Sequence, residues 1–350
     1  MRALWCRRYG TFADLELVDS PSPDLPLGSV RIAVNFASVS FGIGMTVAGT
    51  HQSRHRTPFI PGNELSGVVL EVASDIDDIK PGDSVVAKVK NGAYAEEVIA
   101  PRDTIYLLPD NVDLKSATTL PISYGTAYSG LFWQGEMQPG ETVLIHGAAG
   151  ALGIAALQIA LAAGARVLAT ATTPEKRQFI LAQGAHAVFA AEQFRDAVKA
   201  ATNGRGADIV FDPIGGAVFV ESLKVVRPRG RIVIAGFASG DVPQIPANIL
   251  LVKNIRVIGH FYGMFVGDGA ADETRRYSPM VQEMMQVLLQ WMQQRRIAPV
   301  ISTVIPIERC AIAMDTINSR SSIGRVLLEV QPVKRPWEQA PSIHPDTHVL

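Results

Sequence analysis

The amino-acid sequence predicts an α/β protein that combines a β-rich domain with a domain built on a doubly wound parallel sheet. Up to about Pro121, apolar and polar residues alternate in short runs separated by turn signals. From residue 142 onward, short apolar strands alternate with helical stretches, the spacing typical of βαβ units. A chain of 350 residues is long enough for two such domains.

The β-rich part is predicted from segments in which every second residue is apolar. A turn at Lys80-Pro81-Gly82-Asp83 leads into one of them. The predicted strands are residues 28–36, 67–72, 83–87 and 92–99.

The middle of the chain predicts strands that are buried on both faces, because their apolar residues are continuous. A helix over residues 175–183 ends at Gly184, a typical helix stop. The predicted strands are residues 142–146, 166–171, 187–190, 208–212 and 231–236.

The last part predicts two more helices and two more strands. The helices are residues 278–294 and 308–318, and the strands are residues 300–306 and 324–330. Residues 331–350 contain four prolines and few apolar residues, which predicts a surface tail.

Composition excludes several classes of protein. With 32 basic and 33 acidic residues, the net charge of −1 argues against nucleic acid or an anionic membrane as the main partner. Cys6 and Cys310 are the only cysteines, too few for a disulfide framework or a cysteine-rich zinc site. The apolar stretch 148–163 is too short to span a bilayer, and residues 1–8 show no secretory signal. We therefore expect a cytoplasmic protein.

The most informative motif is the glycine-rich turn His146-Gly-Ala-Ala-Gly-Ala-Leu-Gly153. It follows an apolar strand and opens a helix, the context in which such a turn binds a dinucleotide. Gly147, Gly150 and Gly153 would allow a tight turn, close approach of a pyrophosphate and close packing of helix on strand. Glycine turns also serve plain strand–helix connections, but the repeated βαβ units favour the binding site.

The end of the next strand favours NADPH over NADH. An NAD site places Asp or Glu there to bind the ribose hydroxyls, whereas this chain has Thr170-Ala-Thr172-Thr. Lys176 and Arg177 follow and would supply positive charge for a 2′-phosphate. The alternative is that these two residues form a solvated helix face.

With these motifs the chain resembles the zinc-free quinone oxidoreductases of the medium-chain dehydrogenase/reductase superfamily. The resemblance extends from residue 1 to about residue 330. It rests on Pro61-Gly-Asn-Glu-Leu-Ser-Gly, Lys80-Pro-Gly-Asp, Gly92-Ala-Tyr-Ala-Glu, Leu120-Pro-Ile-Ser-Tyr-Gly-Thr-Ala-Tyr, Phe211-Asp-Pro-Ile-Gly-Gly, Gly236-Phe-Ala-Ser-Gly, Ile245-Pro-Ala-Asn and Gly324-Arg-Val-Leu-Leu.

The resemblance implies a GroES-like catalytic domain made from both chain ends and a Rossmann domain inserted between them. We place the first part of the catalytic domain at 1–122, the Rossmann domain at 123–265, the return to the catalytic domain at 266–330 and the tail at 331–350. The resemblance also implies a homodimer joined through the Rossmann sheets.

It further implies which residues bind NADPH. The turn would hold the pyrophosphate, Thr126 would lie near the phosphates or the nicotinamide, and the remaining residues would contact the 2′-phosphate and the nicotinamide side. The predicted cofactor site is Thr126, Gly147, Ala149, Gly150, Leu152, Gly153, Thr172, Lys176, Phe237, Ser239 and Arg320.

The metal ligands of the zinc-dependent relatives are missing. The segment that would hold their first cysteine, Ser40 to Ile43, contains no thiol, and Asn63 stands where they have histidine. His51 and His55 are spaced four apart but lie in an arginine-rich loop, which favours a surface role. We therefore expect no metal.

The predicted catalytic segment departs from the family pattern. Where the family has Asn-Phe-x-Asp and a nearby Tyr, this chain reads Ser40-Phe-Gly-Ile43-Gly-Met45. Ser40 can donate a hydrogen bond, but Ile43 and Met45 cannot replace a carboxylate and a phenol. Tyr124, Tyr262 and His260 are further candidate donors, with a purely structural role as the alternative for each.

These features predict an NADPH-dependent reductase of quinones or α,β-unsaturated carbonyl compounds, with Ser40 and Tyr124 as candidate catalytic residues. An enoyl-thioester reductase is the alternative within the same class. A non-catalytic NADPH-binding protein is the alternative from another class, because the altered segment lacks an acid.

Overall fold

The structure is a computed structural model that describes residues 1–269 and 271–332. The predicted tail, residues 331–350, therefore lies outside the described residues from position 333 onward. The strands within the described residues are β1 (Arg2–Trp5), β2 (Glu16–Asp19), β3 (Ser29–Val39), β4 (Glu64–Val72), β5 (Ser84–Lys88), β6 (Glu97–Pro101), β7 (Ile105–Leu107), β8 (Thr142–Ile145), β9 (Arg166–Ala171), β10 (Ala187–Ala190), β11 (Ala207–Asp212), β12 (Val226–Ile234), β13 (Arg256–Gly259), β14 (Ile301–Pro306) and β15 (Arg325–Glu329).

Helices connect these strands. The α-helices are α1 (Phe41–Val47), α2 (Leu114–Ala117), α3 (Gly125–Tyr128), α4 (Ala151–Ala162), α5 (Pro174–Ala182), α6 (Phe194–Ala201), α7 (Gly216–Val225), α8 (Ala247–Lys253), α9 (Thr274–Gln293) and α10 (Cys310–Asn318). Two π-helical segments, Leu120–Tyr124 and Ser129–Gln134, flank α3. The short 3-10 helices are Phe12–Asp14, Arg102–Thr104, Tyr262–Val266 and Ile307–Arg309.

A six-stranded parallel sheet forms the centre of the predicted dinucleotide-binding part. Its strand order is β10-β9-β8-β11-β12-β13. The order reverses between β8 and β11, and ligands of such sheets bind at the carboxyl ends of the strands near this reversal. The glycine-rich turn lies there, directly after β8. The fold class predicted from the sequence is confirmed.

A seven-stranded sheet forms the β-rich part, in the order β14-β15-β3-β4-β5-β7, with β6 also pairing with β3. Strand β15 pairs antiparallel with β3, so that Val326 lies opposite Val39. Strands β14 and β15 therefore complete a sheet that begins with β3, whereas β1 and β2 form a separate two-stranded sheet.

The segment 266–330, predicted to return to the catalytic domain, divides between the two units. Strands β14 and β15 join the seven-stranded sheet. Helix α9 instead buries Val281, Met285 and Leu288 in the apolar cluster that contains the inner residues of α4 and β8. The domain boundaries remain a prediction.

Candidate active site

A cleft of about 230 Å³ is lined by residues from both units. The seven-stranded unit contributes Ser40 and Ile43 of the segment after β3, together with Asn63. The six-stranded unit contributes Thr126 and Leu152. The loops that follow β12 and β13 complete the cleft with Ala235 and residues 260–263.

The glycine turn has the geometry of a phosphate-binding loop. Gly147 has a φ of +59°, which a side chain would strain. A Cβ at Gly153 would lie 2.3 Å from the carbonyl oxygen of Gly147, so the turn can pack this closely only with glycine at 153. A Cβ at Gly150 would lie 3.5 Å from the same oxygen, an ordinary contact. Of these three glycines, only Gly150 has room around it for a side chain, and therefore also for a ligand.

Helix α4 points its N-terminus at this turn. Gly150 is the N-cap, and no side chain caps the helix. The first backbone hydrogen bond of the helix runs from the amide of Ile154 to Gly150, at 2.8 Å. The amide groups before Ile154 have no partner within the helix and, with the helix dipole, favour an anion there.

The glycine turn is also hydrogen-bonded to the seven-stranded unit. The amide of Gly324, just before β15, donates to the carbonyl oxygen of Ala149 at 2.9 Å. Gly150 and Gly324 thereby form an isolated parallel bridge. This backbone contact joins the two walls of the cleft at the point where the pyrophosphate is predicted to bind.

The residues predicted to bind the 2′-phosphate come together at the carboxyl end of β9. Thr173 caps α5 by accepting a hydrogen bond from the amide of Lys176 at 3.3 Å. The Lys176 ammonium donates to the carbonyl oxygen of Arg320 at 2.5 Å. The Arg320 guanidinium donates to the carbonyl oxygen of Ala238, in the loop after β12, at 3.0 Å.

Lys176 is not part of a fully solvated face. Partial burial lowers the pKa of its ammonium group. Arg177 turns back and donates to the carbonyl oxygen of Thr172 at 2.9 Å, while Thr172 itself is exposed. Of the two basic residues predicted for the 2′-phosphate, Lys176 and Arg177, it is therefore Lys176 that contacts Arg320.

Phe237 and Ser239 follow β12 at the edge of the sheet where the parallel strands have their carboxyl ends. Phe237 is 41% exposed, and a Cβ at Gly215 would lie 2.8 Å from its ring. The hydroxyl of Ser239 accepts a hydrogen bond from the amide of Asp241 at 3.2 Å. The ring of Phe237 thus packs against Gly215, the N-cap of α7.

Ser40 lies in the cleft and also caps α1. Its hydroxyl oxygen accepts a hydrogen bond from the amide of Ile43 at 3.3 Å. A hydroxyl that accepts in this way keeps its own proton for a further hydrogen bond. Ser40 therefore caps α1 while its hydroxyl hydrogen stays available for a hydrogen bond to a ligand.

The prediction of Tyr124 as a catalytic residue is wrong. Its side chain is 2% exposed, and its hydroxyl donates to Gln158 of α4 at 2.7 Å, inside the apolar cluster beneath the cleft. Tyr124 does not line the cleft. Its hydroxyl supports the packing of α4 and is not placed to act on a substrate.

Sequence reasoning missed two buried ionisable side chains in the wall of the cleft, Glu64 and Arg325. Glu64 is fully buried and accepts hydrogen bonds from the hydroxyl of Ser38 and the amide of Ile122, each at 2.6 Å. Arg325 donates to the carbonyl oxygen of Val39 at 3.2 Å and to the hydroxyl of Ser123. Burial raises the pKa of Glu64, and the positive charge of Arg325 opposes that rise. Both residues line the cleft.

The positions considered for metal binding have other partners. The His51 ring accepts a hydrogen bond from the amide of Ser53 at 3.1 Å, and His55 lies against Phe59. Asn63 lines the cleft. Within residues 1–269 and 271–332, no three His, Cys, Asp or Glu side chains are grouped as metal ligands. In the same part of the chain, no helix is long and apolar enough to cross a membrane.

Two family models match the two units. The model described as "Alcohol dehydrogenase GroES-like domain" matches residues 27–110. The model described as "Zinc-binding dehydrogenase" matches residues 151–285.

Relatives match most of the chain. The chain is 35% identical to quinone oxidoreductase-like protein 2 of Bos taurus over 315 residues, 89% of this chain and 88% of that protein. It is 30% identical to the quinone oxidoreductase of Homo sapiens over 80% of this chain and 83% of that protein.

Among solved structures, the quinone oxidoreductase of Thermus thermophilus, also determined in complex with NADPH, is 32% identical with a TM-score of 0.80. That match covers 94% of this chain and 100% of the other. The chain belongs to the medium-chain dehydrogenase/reductase superfamily and, within it, to the quinone oxidoreductase-like family.

Proposed function

We propose that this protein is an NADPH-dependent reductase that transfers a hydride to a quinone or an α,β-unsaturated carbonyl compound without a metal. The observation that carries the proposal is the contact between Lys176 and Arg320 at the carboxyl end of β9. An NADH site has an acidic side chain at the end of this strand, whereas here the ammonium group of Lys176 donates to the backbone carbonyl of Arg320, so that two basic residues lie together.

NADPH is the cofactor, and the described residues fit it. The free amides of α4 and the open side of Gly150 receive the pyrophosphate, and the two cations receive the 2′-phosphate. The proposed cofactor residues are Thr126, Gly147, Ala149, Gly150, Leu152, Gly153, Thr172, Lys176, Phe237, Ser239 and Arg320.

When bound, NADPH supplies the hydride, and solvent supplies the proton that completes the reduction. The chain's own residues orient the substrate and limit its access to water. Ser40 is the proposed hydrogen-bond donor of the segment after β3, where the hydrophobic Ile43 also lines the cleft. Such a site suits an easily reduced acceptor, because no acidic side chain of this segment is needed to deliver a proton.

The side chains at the positions of the zinc ligands support reduction without a metal. Residues 40–43 contain no thiol, and Asn63 presents an amide where a zinc site would need an imidazole. An amide is a poor ligand for zinc, which favours nitrogen of histidine and sulfur of cysteine.

Steady-state kinetics test the proposal. The purified protein is mixed with NADPH and either a simple quinone, an enone or crotonyl-coenzyme A, and cofactor oxidation is followed by absorbance. We expect oxidation with quinones or enones and a preference for NADPH over NADH. Faster turnover of crotonyl-coenzyme A would make the protein an enoyl-thioester reductase. Tight NADPH binding with no oxidation by any acceptor would make it a non-catalytic NADPH-binding protein.

We also propose that the protein is a homodimer joined at the β13 edge of the six-stranded sheet. Leu251 and Val252 of α8, next to this edge, are 77% and 80% exposed. Apolar side chains exposed to this degree side by side favour burial against another copy. Sedimentation of the wild type should give twice the mass of one chain, and Leu251→Asp should give monomers.

A cytoplasmic location completes the proposal. Cys6 and Cys310 are both buried and both free. Thiols kept unpaired suit a reducing compartment. Fractionation of cells that express the tagged protein should recover it with the cytosol.

A further inference from the structure

The wall of the cleft that follows β13 presents one aromatic side chain to the open space. Phe261 lines the cleft and is 42% exposed, whereas its neighbours His260 and Tyr262 are 7% and 4% exposed. Single exposed apolar residues are common on protein surfaces, but this one lies inside a cleft that a substrate is proposed to occupy. Phe261 is therefore a candidate contact for that substrate.

The backbone turns Phe261 away from its two neighbours. Phe261 is extended, with φ −115° and ψ 93°. Residues on either side of an extended residue point to one side of the chain, and the middle one points to the other. His260 and Tyr262 accordingly point into the protein, and the ring of Phe261 points toward the cleft.

Contacts within the protein hold both neighbours of Phe261. The Nε2 atom of His260 lies 3.0 Å from the carbonyl oxygen of Thr126. The Tyr262 ring fills the space beside Gly125, where a Cβ would lie 2.7 Å from the tyrosine hydroxyl oxygen. The backbone is therefore fixed on both sides of Phe261.

A buried ion pair holds the end of the same segment. The ammonium group of Lys88, at the end of β5 and 2% exposed, donates to the Asp268 carboxylate at 2.5 Å and to the carbonyl oxygen of Val266 at 2.7 Å. Burial lowers the pKa of Lys88, and the negative charge of Asp268 opposes that fall. Separation of the pair would leave a buried charge without its partner, so the contact resists opening. The segment from His260 to Asp268 is thus attached to both units.

The ring of Phe261 also packs against its own segment. A Cβ at Gly263 would overlap the ring carbon Cζ and would lie 2.7 Å from Cε2, so the ring can take this position only beside glycine. The far end of the ring is therefore supported, while 42% of the residue stays open. A side chain that is already held in place loses little conformational entropy when it binds a ligand.

The exposed ring selects its ligand by shape and by electron distribution. The face of a phenyl ring carries partial negative charge, which attracts a flat ring whose own face is electron-poor. A quinone ring has this character, because it is planar and its two carbonyl groups withdraw electrons. A saturated ring is puckered and has no face that can stack, and an open-chain acceptor has no ring at all.

We infer that Phe261 is a specificity-determining residue that stacks on a flat, conjugated ring of the acceptor. Ser40 and Ile43 line the same cleft from the other unit, so the ring binds where the two units meet. This inference rests on the proposed function and narrows its acceptors to planar ring compounds. Open-chain enones and thioesters lack the ring that Phe261 contacts.

Binding in the presence of NADP⁺ tests this without relying on turnover, because the oxidised cofactor has no hydride to transfer. The probes are 1,4-naphthoquinone and decahydronaphthalene-1,4-dione, and their dissociation constants are measured by equilibrium dialysis. The two compounds share the carbon skeleton and both carbonyl groups, but only the first is planar and conjugated. We expect the wild type to bind 1,4-naphthoquinone more tightly.

Variants of Phe261 isolate the aromatic contact. Phe261→Leu keeps an apolar side chain but removes the aromatic face, and it should weaken 1,4-naphthoquinone about twofold to tenfold, the range of one aromatic pair. The same variant should leave the saturated dione and NADP⁺ bound as in the wild type. Phe261→Tyr keeps the ring and should retain the affinity for 1,4-naphthoquinone. Phe132→Leu is the matched control, because Phe132 is a partly exposed phenylalanine that does not line the cleft.

Unchanged binding of 1,4-naphthoquinone by Phe261→Leu, or an equal loss for the two diones, would overturn the inference. A loss of NADP⁺ affinity in the same variant would assign the ring to the cofactor and would also overturn it. If Phe261→Leu fails to fold, as judged by its Tm, equal binding of the two diones by the wild type would still contradict the inference. Failure of the proposed function would appear separately, as the absence of NADPH oxidation with every acceptor.

Discussion

The ammonium group of Lys176 donates a hydrogen bond to the carbonyl oxygen of Arg320, a residue 144 positions further along the chain. Lys176 lies on α5 of the six-stranded unit, and Arg320 lies in the turn between α10 and β15. Arg320 has a φ of +54° there, in the left-handed region, just after α10 ends. The two units of the protein thus meet at the proposed 2′-phosphate site, and cofactor binding would stabilise that contact.

Gly150→Val tests the position of the pyrophosphate. The valine Cβ meets only an ordinary contact with Gly147, so the protein should fold with a nearly unchanged Tm. The side chain would occupy the space left for the phosphates, and NADPH binding measured by fluorescence titration should be lost. Gly153→Val is the contrasting variant, because its Cβ would lie 2.3 Å from the Gly147 carbonyl oxygen and should disrupt folding. Wild-type affinity in a folded Gly150→Val protein would place the phosphates elsewhere.

Ser40→Ala tests the donor of the segment after β3. Loss of one neutral hydrogen bond to the substrate should reduce kcat/KM about threefold to tenfold, with little change in NADPH affinity. Because Ser40 also caps α1, the free energy of unfolding should fall by about 1 kcal/mol. Ser40→Thr should restore the cap and much of the activity. A loss of stability without any loss of kcat/KM would leave Ser40 with its capping role alone.

Metal analysis tests the zinc-independent assignment. Protein purified without added metal should contain no stoichiometric zinc, because residues 40–43 and Asn63 offer neither thiol nor imidazole. Incubation with a chelator should leave NADPH oxidation unchanged. One zinc ion per chain, removed together with activity, would contradict the assignment.

Acid stability should report the buried His146. Burial lowers its pKa to about 3 while its ring bonds Thr170 and Ser222, so the folded protein keeps it neutral. In the unfolded chain it titrates near its ordinary pKa of about 6.5 and binds a proton that the folded state refuses. The free energy of unfolding should therefore fall as the pH drops below about 6.5, by about 2 kcal/mol for this group at pH 5.

Urea denaturation at a series of pH values measures this effect. His146→Gln, if it folds, should show a shallower decline than the wild type over the same range. A decline of equal slope in both proteins would assign the acid sensitivity to other groups, of which His260 is the first to test because burial also lowers its pKa, to about 4.

Local patterns predicted much of the fold and the cofactor site. The glycine turn between β8 and α4 was predictable because its strand, turn and helix are adjacent in sequence. Strands β1 and β2 were missed, since each is four residues long and lacks a clear alternation. The predicted strand over residues 92–99 begins only at Glu97 in the structure, because the preceding residues form an irregular connection.

Long-range contacts were harder to predict. Glu64 and Arg325 come into the same cleft wall because β4 and β15 both pair with β3, a register that no local pattern encodes. Tyr124 was placed in the site because the sequence does not show which side of its π-helical segment faces Gln158. The grouping of Lys176 with Arg320 came from the family resemblance, not from spacing along the chain.

The affinities of Lys176→Ala and the wild type for NADPH and NADH test the central claim most directly. Calorimetry should show that the variant binds NADPH more weakly by about 1.5–3 kcal/mol, the contribution of a charge-assisted hydrogen bond, and binds NADH nearly as the wild type does. Arg320→Ala should behave in the same way. An equal loss for the two cofactors, or no loss for either, would contradict a 2′-phosphate site at the junction of Lys176 and Arg320.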